Sequence, residues 1–347
     1  KRILFRADAS PQIGAGHLMR MLALGQFLSD AGYEIHFATI PHNIQLVEYL
    51  RSEGFQVYCL KKEASWDAVK DGEQLVSIAS RIQPLWVVLD GYHFDADYEL
   101  KIKQSQFSLL RIVDIPSGHY YADVVLNQNY GAEDMAYSAE KNTRILAGLK
   151  YVMLRREFRQ MDLPSPKRDN EPFHILVSLG NVPSKTDALN LKIVQGFFGI
   201  SKKGLSATMI IGRMNGESSH AEEETKRVAW PIEVKSHSQN MAEEMSKADL
   251  AIVSGGSTMW ELMHMRVPFL AISLTQEQRS YLPLLAGNGL CVDLGWHEDV
   301  TPDSVRQEAA GFIQDATRRA QVKNRMGHVL DRSSGMRDLL QALEENA

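Results

Sequence analysis

Short apolar runs alternate with helix-length amphipathic runs along most of this 347-residue chain. No other feature of the sequence restricts the fold as much. In the first half the strand candidates are Ile3–Arg6, Ile35–Thr39, Gln56–Leu60, Trp86–Asp90, Leu109–Val113 and Val124–Leu126. Helical patterns lie between them at Leu18–Ala31, Ile44–Glu53, Gly72–Ile82 and Asp97–Ser105, and Gly32 and Gly54 stand where C-terminal caps belong. Alternation of this kind builds a parallel sheet with helices on both faces. After Met161–Pro172, a polar stretch with three prolines, a second series begins. Its strands are Ile175–Leu179, Ala207–Ile211, Ile232–Lys235, Leu250–Val253, Phe269–Ile272 and Leu290–Leu294, with helices at Asp187–Phe198, Met241–Lys247, Thr258–Met265 and Tyr281–Ala286. Residues 212–226 read as a polar loop with a short helix, and Thr301–Ala347 as helical. The expected organisation is an α/β domain at 1–163, a linker at 164–172, a second α/β domain at 173–315 and a helical segment at 316–347. Two doubly wound, Rossmann-like domains facing a cleft would place a small-molecule site between them.

Composition narrows the class of partner. Net charge is −5 and the pI about 6.1, so no basic excess marks a nucleic-acid or membrane-surface protein. No apolar run approaches the length of a membrane span. The two cysteines, Cys59 and Cys291, fall in different expected domains, which argues against a disulfide framework and against a thiolate metal site. A cytoplasmic protein is expected, since the N-terminus reads as a buried strand rather than a signal peptide. Position 1 is not Met, which suggests that translation starts upstream.

The stretch Arg2–Arg20, RILFRADASPQIGAGHLMR, reads as strand, Gly-bearing turn and helix. Ligands bind at the carboxyl ends of such strands. Gly14 and Gly16 let the backbone pass close to a ligand. His17 stands near the helix N-terminus, where the field favours anions and a neutral imidazole. Neutral imidazole is the form a general base needs. The alternative is a His that only caps the helix or packs under a loop. Arg20 follows about one turn on.

In the second series Ser254-Gly255-Gly256-Ser257-Thr258 follows a strand and opens a helix. It reads equally as a diphosphate cradle or as an ordinary strand-to-helix turn. Glu261, one turn in, would hold a ribose hydroxyl pair or only complement the helix dipole. Gln276, Gln278 and Arg279 follow the next strand and stand at the carboxyl edge of the sheet, where a ligand would be; the residues by themselves read as a solvated loop. The chain lacks GxxxxGK[ST], and it lacks GxGxxG after its first strand, which argues against a P-loop ATPase and an NAD enzyme.

RADASPQIGAGHLMR with LALGQFL resembles the opening of the UDP-sugar hydrolases of pseudaminic acid biosynthesis, whose substrate is a UDP-linked diacetamido-trideoxy-altropyranose. Related spore-coat polysaccharide proteins look alike there. ADVVLNQNYG (Ala122–Gly131), LAGLKYVMLRREF (Leu146–Phe158) and SGGSTMWE (Ser254–Glu261) resemble further segments of that family in the same order, and VLDGYHFDADYE (Val88–Glu99) is a looser match. The resemblance implies a GT-B fold related to the N-acetylglucosaminyltransferase that makes lipid II. It implies that the C-terminal domain binds UDP through Gly180, Ser254, Gly255, Gly256, Ser257, Thr258, Glu261 and Gln278. His17 would activate water at the anomeric carbon, with Asp8, Gly14, Gly16, Arg20, Tyr92 and Asn127 around the sugar. UDP leaves well when donors meet its charge, so no metal and no cofactor are expected.

The chain departs from the family pattern in two places. Asn181 stands where a second Gly is usual, and IVDIPSGHYYAD (Ile112–Asp123) lacks a second acidic residue after Asp114. Lys185 reads as a solvated loop lysine, with a phosphate contact as the alternative. His93 and His119 lie in loops expected to face the cleft, while His36, His264 and His297 read as structural or exposed. The competing functions are a glycosyltransferase of the same fold and a non-catalytic sugar-nucleotide binder. The absence of Lys and Arg from Thr39–Tyr49 weighs against a lipid-linked acceptor. Retention of His17 in its full context weighs against a pure binder.

Overall fold

The structure is a computed structural model, and it describes residues 1–10, 13–63, 65–163, 172–180, 183–211, 220–330 and 335–345. Residues 164–171 of the expected 164–172 linker, Asn181 and most of the expected 212–226 loop lie outside the described residues.

The chain divides into two compact units, Lys1–Arg156 with Asp331–Ala347, and Glu157–Leu330. The first opens with β1 (Arg2–Ala7), α1 (Gly16–Asp30), β2 (Glu34–Thr39), α2 (Ile44–Ser52), β3 (Gln56–Cys59), α3 (Ala68–Ile82), β4 (Trp86–Asp90), α4 (Ala96–Gln104) and β5 (Ser108–Ile112). Then come β6 (His119–Tyr120), β7 (Val124–Asn127), β8 (Ser138–Ala139) and β9 (Arg144–Ala147). Seven of these strands form one parallel sheet in the order β3-β2-β1-β4-β5-β7-β9. The chain winds outward from β1 in one direction and restarts at β4 in the other, so the switch point falls between β1 and β4.

Side chains alternate across this sheet as the strand pleat requires. Ile3, Phe5 and Ala7 pack on one face with Met21, Leu22 and Leu24 of α1. Leu4 packs on the other with Leu75 of α3 and Ile102 of α4. Trp86-Val87-Val88-Leu89-Asp90 is buried at every position, as befits a central parallel strand.

The second unit begins within α5 (Arg156–Gln160). It contains β10 (Phe173–Ser178), α6 (Pro183–Gly196), β11 (Leu205–Ile210), α7 (His220–Thr225), β12 (Ile232–Lys235), α8 (Met241–Lys247), β13 (Leu250–Ser254), α9 (Thr258–Met265) and β14 (Phe269–Ser273). α10 (Gln276–Gly287), β15 (Val292–Trp296), α11 (Pro302–Gln314) and α12 (Ala316–Val329) complete it. Its six strands are parallel in the order β12-β11-β10-β13-β14-β15, with the switch point between β10 and β13. The last helix, α13 (Gly335–Glu345), belongs to the first unit. Its Leu339, Ala342 and Leu343 join the α1 face of the first core, and the Trp86 indole N–H donates to the Leu343 carbonyl at 3.0 Å.

Candidate active site

The switch point of the first sheet brings together residues far apart in sequence. β1 ends, the chain turns through Gly14 (φ 73°) and α1 begins. Ser10 and Gly14 exchange two backbone hydrogen bonds across that turn, at 2.8 and 3.2 Å. A Cβ on Gly16 would meet nothing within 4 Å, so this side of the turn is open. His17 lies in the first turn of α1, where no side chain caps the helix and no acid stands in the first turn. β4 ends on Asp90, beside β1.

His17 Nδ1–H donates to Asp90 Oδ1 at 2.8 Å. Arg20 Nη2 approaches the same nitrogen at 3.3 Å. A guanidinium only donates, so the nearer carboxylate fixes the tautomer. Nε2 then carries the lone pair and has no hydrogen-bond partner among the described residues. The helix field is thus only part of the account drawn from sequence, because a buried carboxylate sets the ring.

Arg20 bridges two carboxylates. It donates to Asp90 through Nε (2.9 Å) and Nη2 (2.6 Å), and to Asp114 through Nη1 (2.5 Å). Burial by itself would raise the pKa of both acids. Burial is the largest single effect, but the Arg20 charge, the hydrogen bonds that Arg20 donates and the neighbouring His17 together outweigh it and hold both below the usual carboxylate range. Asp114 also accepts from the Tyr92 hydroxyl (3.0 Å) and from Asn129 Nδ2 (3.0 Å). The Tyr92 ring stands edge-on to His17, with centroids 4.6 Å apart, and 54% of the residue stays exposed. Tyr92 is therefore anchored at its hydroxyl while more than half of the residue remains exposed.

Asp8 and Asn127, expected around the sugar, are committed to the protein. Both Asp8 oxygens accept from Arg6 (2.6 and 2.8 Å), and Oδ1 also takes the Ile40 N–H (2.8 Å). Arg6 is fully buried and also makes a two-bond pair with Asp71 (3.0 and 2.7 Å), which in turn accepts from Tyr98. Asn127 is fully buried, donates to the Asp114 carbonyl (3.0 Å) and accepts from the Asn129 N–H (3.0 Å). Both residues hold the strand ends rather than line an open surface.

The loop after β4 has a support of its own. Buried Arg111 donates to the carbonyls of Gly91 (2.8 Å) and Phe94 (3.0 Å). His93, in that loop, lies 3.9 Å from Asp8 and packs on Trp66. Burial and then the Arg6 charge push its pKa down to about 4. His119 sits between Ser138 Oγ and Glu140 (both 3.0 Å), and His264 donates to the Phe158 carbonyl.

Asp90, Asp114, Asn129, Arg6 and Asp71 were not picked out as site residues from the sequence. The available signal was an acid closing an apolar strand, as in WVVLD (Trp86–Asp90).

In the second unit Gly180 (φ 80°) follows β10, and Ser254 ends β13 with Gly255–Ser257 after it, so both border that sheet's switch point. The two glycines after β13 do different things. A Cβ on Gly255 would strike Leu282 and Gln278 at 2.9 and 3.0 Å, so Gly255 lets α10 pack under the turn. A Cβ on Gly256 would meet only Ser254 Oγ at 3.8 Å, so that side is open. Ser257 is the N-cap of α9 and makes no side-chain cap bond; Ser257 and Thr258 are partly exposed. Glu261 is 5% exposed, in a helix buried at every position from Met259 to Met265.

The expected loop at Gln276–Arg279 is instead the first turn of α10, because Thr275 caps it by accepting from the Gln278 N–H. Gln278 Oε1 accepts from the Leu274 N–H at 2.7 Å. It props the turn from behind. Lys185, expected in solvent, donates to the Leu274 carbonyl at 2.5 Å.

With both sites built, the chain can be set against known proteins. MurG of Acinetobacter baumannii superposes with a TM-score of 0.67 at 14% identity, covering 99% of each chain. The glycosyltransferase VinC, solved with dTDP, gives 0.64 at 15% identity over 99% of this chain and all of that one. The fold is GT-B. At these identities the GT-B likeness shows the architecture alone. In sequence the chain is 24% identical over 297 residues to the UDP-2,4-diacetamido-2,4,6-trideoxy-beta-L-altropyranose hydrolase of Campylobacter jejuni, covering 84% of this chain and 98% of that one. It is 28% identical over 302 residues to the spore coat polysaccharide biosynthesis protein SpsG of Bacillus subtilis, covering 86% and 84%. It also matches an uncharacterized Methanocaldococcus jannaschii protein at 26% identity, and that match spans 80% of this chain but only 57% of the archaeal protein. No protein-family model matches. Homology to the hydrolase and to SpsG thus runs along most of this GT-B chain.

Proposed function

We propose that the protein hydrolyses a UDP-linked diacetamido-trideoxy sugar in nonulosonic acid biosynthesis. The observation that carries this reading is the His17–Asp90 pair. Asp90 accepts the Nδ1–H hydrogen bond, which keeps that proton on Nδ1 and leaves Nε2 as the base. Water oxygen attacks the anomeric carbon and gives its proton to Nε2. The bond from that carbon to the diphosphate oxygen breaks, and the electron pair leaves with UDP. Asp90 steadies the imidazolium that forms and keeps the ring in place. Arg20 positions Asp90 by bonding both of its oxygens, including the one that His17 uses. Tyr92 would offer its ring to the sugar. The nucleotide end is assigned to Gly180, the Ser254–Thr258 turn and the start of α9, whose N–H groups suit phosphate oxygens. Support comes from the open side of Gly256 and from the name of the Campylobacter relative.

The test is an NMR time course with that sugar nucleotide, following free sugar and UDP. The wild type should release both. His17→Ala, still folded and still binding UDP, should be slowed by ~100-fold or more. A wild type that binds UDP and leaves the compound intact would end the hydrolase reading for this substrate.

A transferase is the second reading, and one observation favours it. Ile13, Ile44, Trp66, Tyr92 and Ile115 are exposed and all follow carboxyl ends of strands in the first sheet. An apolar acceptor would find partners there. UDP release that requires an added acceptor, with no free sugar formed, would establish this alternative.

A further inference from the structure

Two cations meet on one indole at the carboxyl edge of the second sheet. Trp296 ends β15. The Lys185 ammonium lies 5.9 Å from its ring centroid and the Arg279 guanidinium 5.8 Å. Lys185 comes from the first turn of α6, after β10, and Arg279 from the first turn of α10, after β14. Neither side chain ends on a carboxylate among the described residues. Both are tied to the glycine turn. Lys185 is fixed on the carbonyl of Leu274, whose N–H is held by Gln278, and Gln278 packs directly under Gly255. The Tyr281 hydroxyl, in the helix that bears Arg279, donates to the Gly255 carbonyl at 2.5 Å. From sequence Lys185 and Arg279 read as solvated loop residues, with a phosphate contact as the alternative for Lys185 and a ligand-facing sheet edge as the alternative for Arg279. The structure fastens them around an aromatic plate, where stacking orients a cation without neutralising it.

We propose that Lys185 and Arg279, oriented by Trp296, bind the diphosphate of the nucleotide and take up the negative charge that the departing UDP develops. This rests on the assignment of the nucleotide to the second unit. The helix and turn N–H groups supply partial charges, whereas these two side chains supply whole ones. A ligand with two phosphates should therefore gain more from them than one with none.

The test measures binding of uridine, UDP and inorganic pyrophosphate by calorimetry to the full chain and to Lys185→Met and Arg279→Met. Met keeps an apolar stem against Trp296 and removes the charge. Each variant should bind UDP and pyrophosphate roughly tenfold or more weakly, with uridine unchanged. Lys185→Arg and Arg279→Lys should recover part of the loss, and the wild-type affinity for UDP should fall with added salt. If uridine and UDP weaken by the same factor, the two residues only support the turn and the proposal fails. It fails equally if neither ligand weakens. A wild type that binds pyrophosphate but neither uridine nor UDP would remove the nucleotide assignment, while dependence of pyrophosphate binding on the two cations would keep the anion site. A wild type that binds none of the three overturns both.

Discussion

At the residue scale, His17 depends on a carboxylate from 73 positions away. Asp90→Asn keeps the shape and offers Nδ1 an amide that can donate, so the ring is free to adopt the wrong tautomer. Turnover of the sugar nucleotide should fall by about 10²- to 10⁴-fold while UDP affinity is kept. A comparable loss of UDP affinity would mean that Asp90 supports the fold rather than the base. None of this pairing is local: Arg20 reaches Asp90 over 70 residues and Asp114 over 94. The sequence marks His17 and Arg20 because they share a helix turn. It cannot mark their partners, since pairing at that range is decided by strand order. The buried Arg6 is similar. It reads as part of an apolar strand, yet it is held by Asp8, close in sequence, and by Asp71, 65 residues on. His93 gives a pH signature. Its folded pKa is about 4, below the ordinary value near 6.5. The unfolded chain therefore binds more protons between those values, so this part of the stability is complete above ~6.5 and is lost as pH falls toward 4. His93→Gln should flatten that part of the slope when denaturant midpoints are compared between pH 7 and pH 5. An unchanged slope would show that His93 is not its source.

The elements themselves were largely legible. β4, β10, β13 and β14 are central parallel strands, and their continuous apolar runs leave little choice. β9 was missed because Arg144-Ile145-Leu146-Ala147 is short and half-exposed, and only pairing with β7 makes it a strand. The start of α10 was missed for a related reason. Gln276-Glu277-Gln278-Arg279 shows no apolar period of its own. What makes it helical is the Thr275 cap and the packing of Gln278 under Gly255. The same turn shows how far composition alone can mislead. Two adjacent glycines invite one explanation, yet Gly255 answers to Leu282 and only Gly256 faces open space.

For the molecule as a whole, the two sheets repeat one plan. Each starts in the middle, winds outward, and returns to the other side of its first strand, and each places its candidate residues at that reversal. The repetition is one of topology, and the two sites are chemically unlike. The first is a buried net of acids and arginines around an imidazole, whereas the second is a glycine turn with cations on an indole. The α1 face of the first core depends on α13, where Leu343 is 1% exposed. Leu343→Ala should cost about 2–5 kcal/mol of stability. Hydrogen exchange should locate the loss in β1, β4 and α1, leaving β10 and β13 protected. Loosening in the second sheet alone would contradict this placement.

The return of α13 also has a consequence in time. Ribosomes release the amino end first, so β1, α1 and β4 emerge long before Leu339–Leu343 exist. Until α13 has been made, Trp86 and the core around it lack the cover of Leu339, Ala342 and Leu343. The first unit is therefore completed only after the second has been synthesised. In the interval a nascent chain carries an apolar patch, where α13 will dock, that chaperones would recognise.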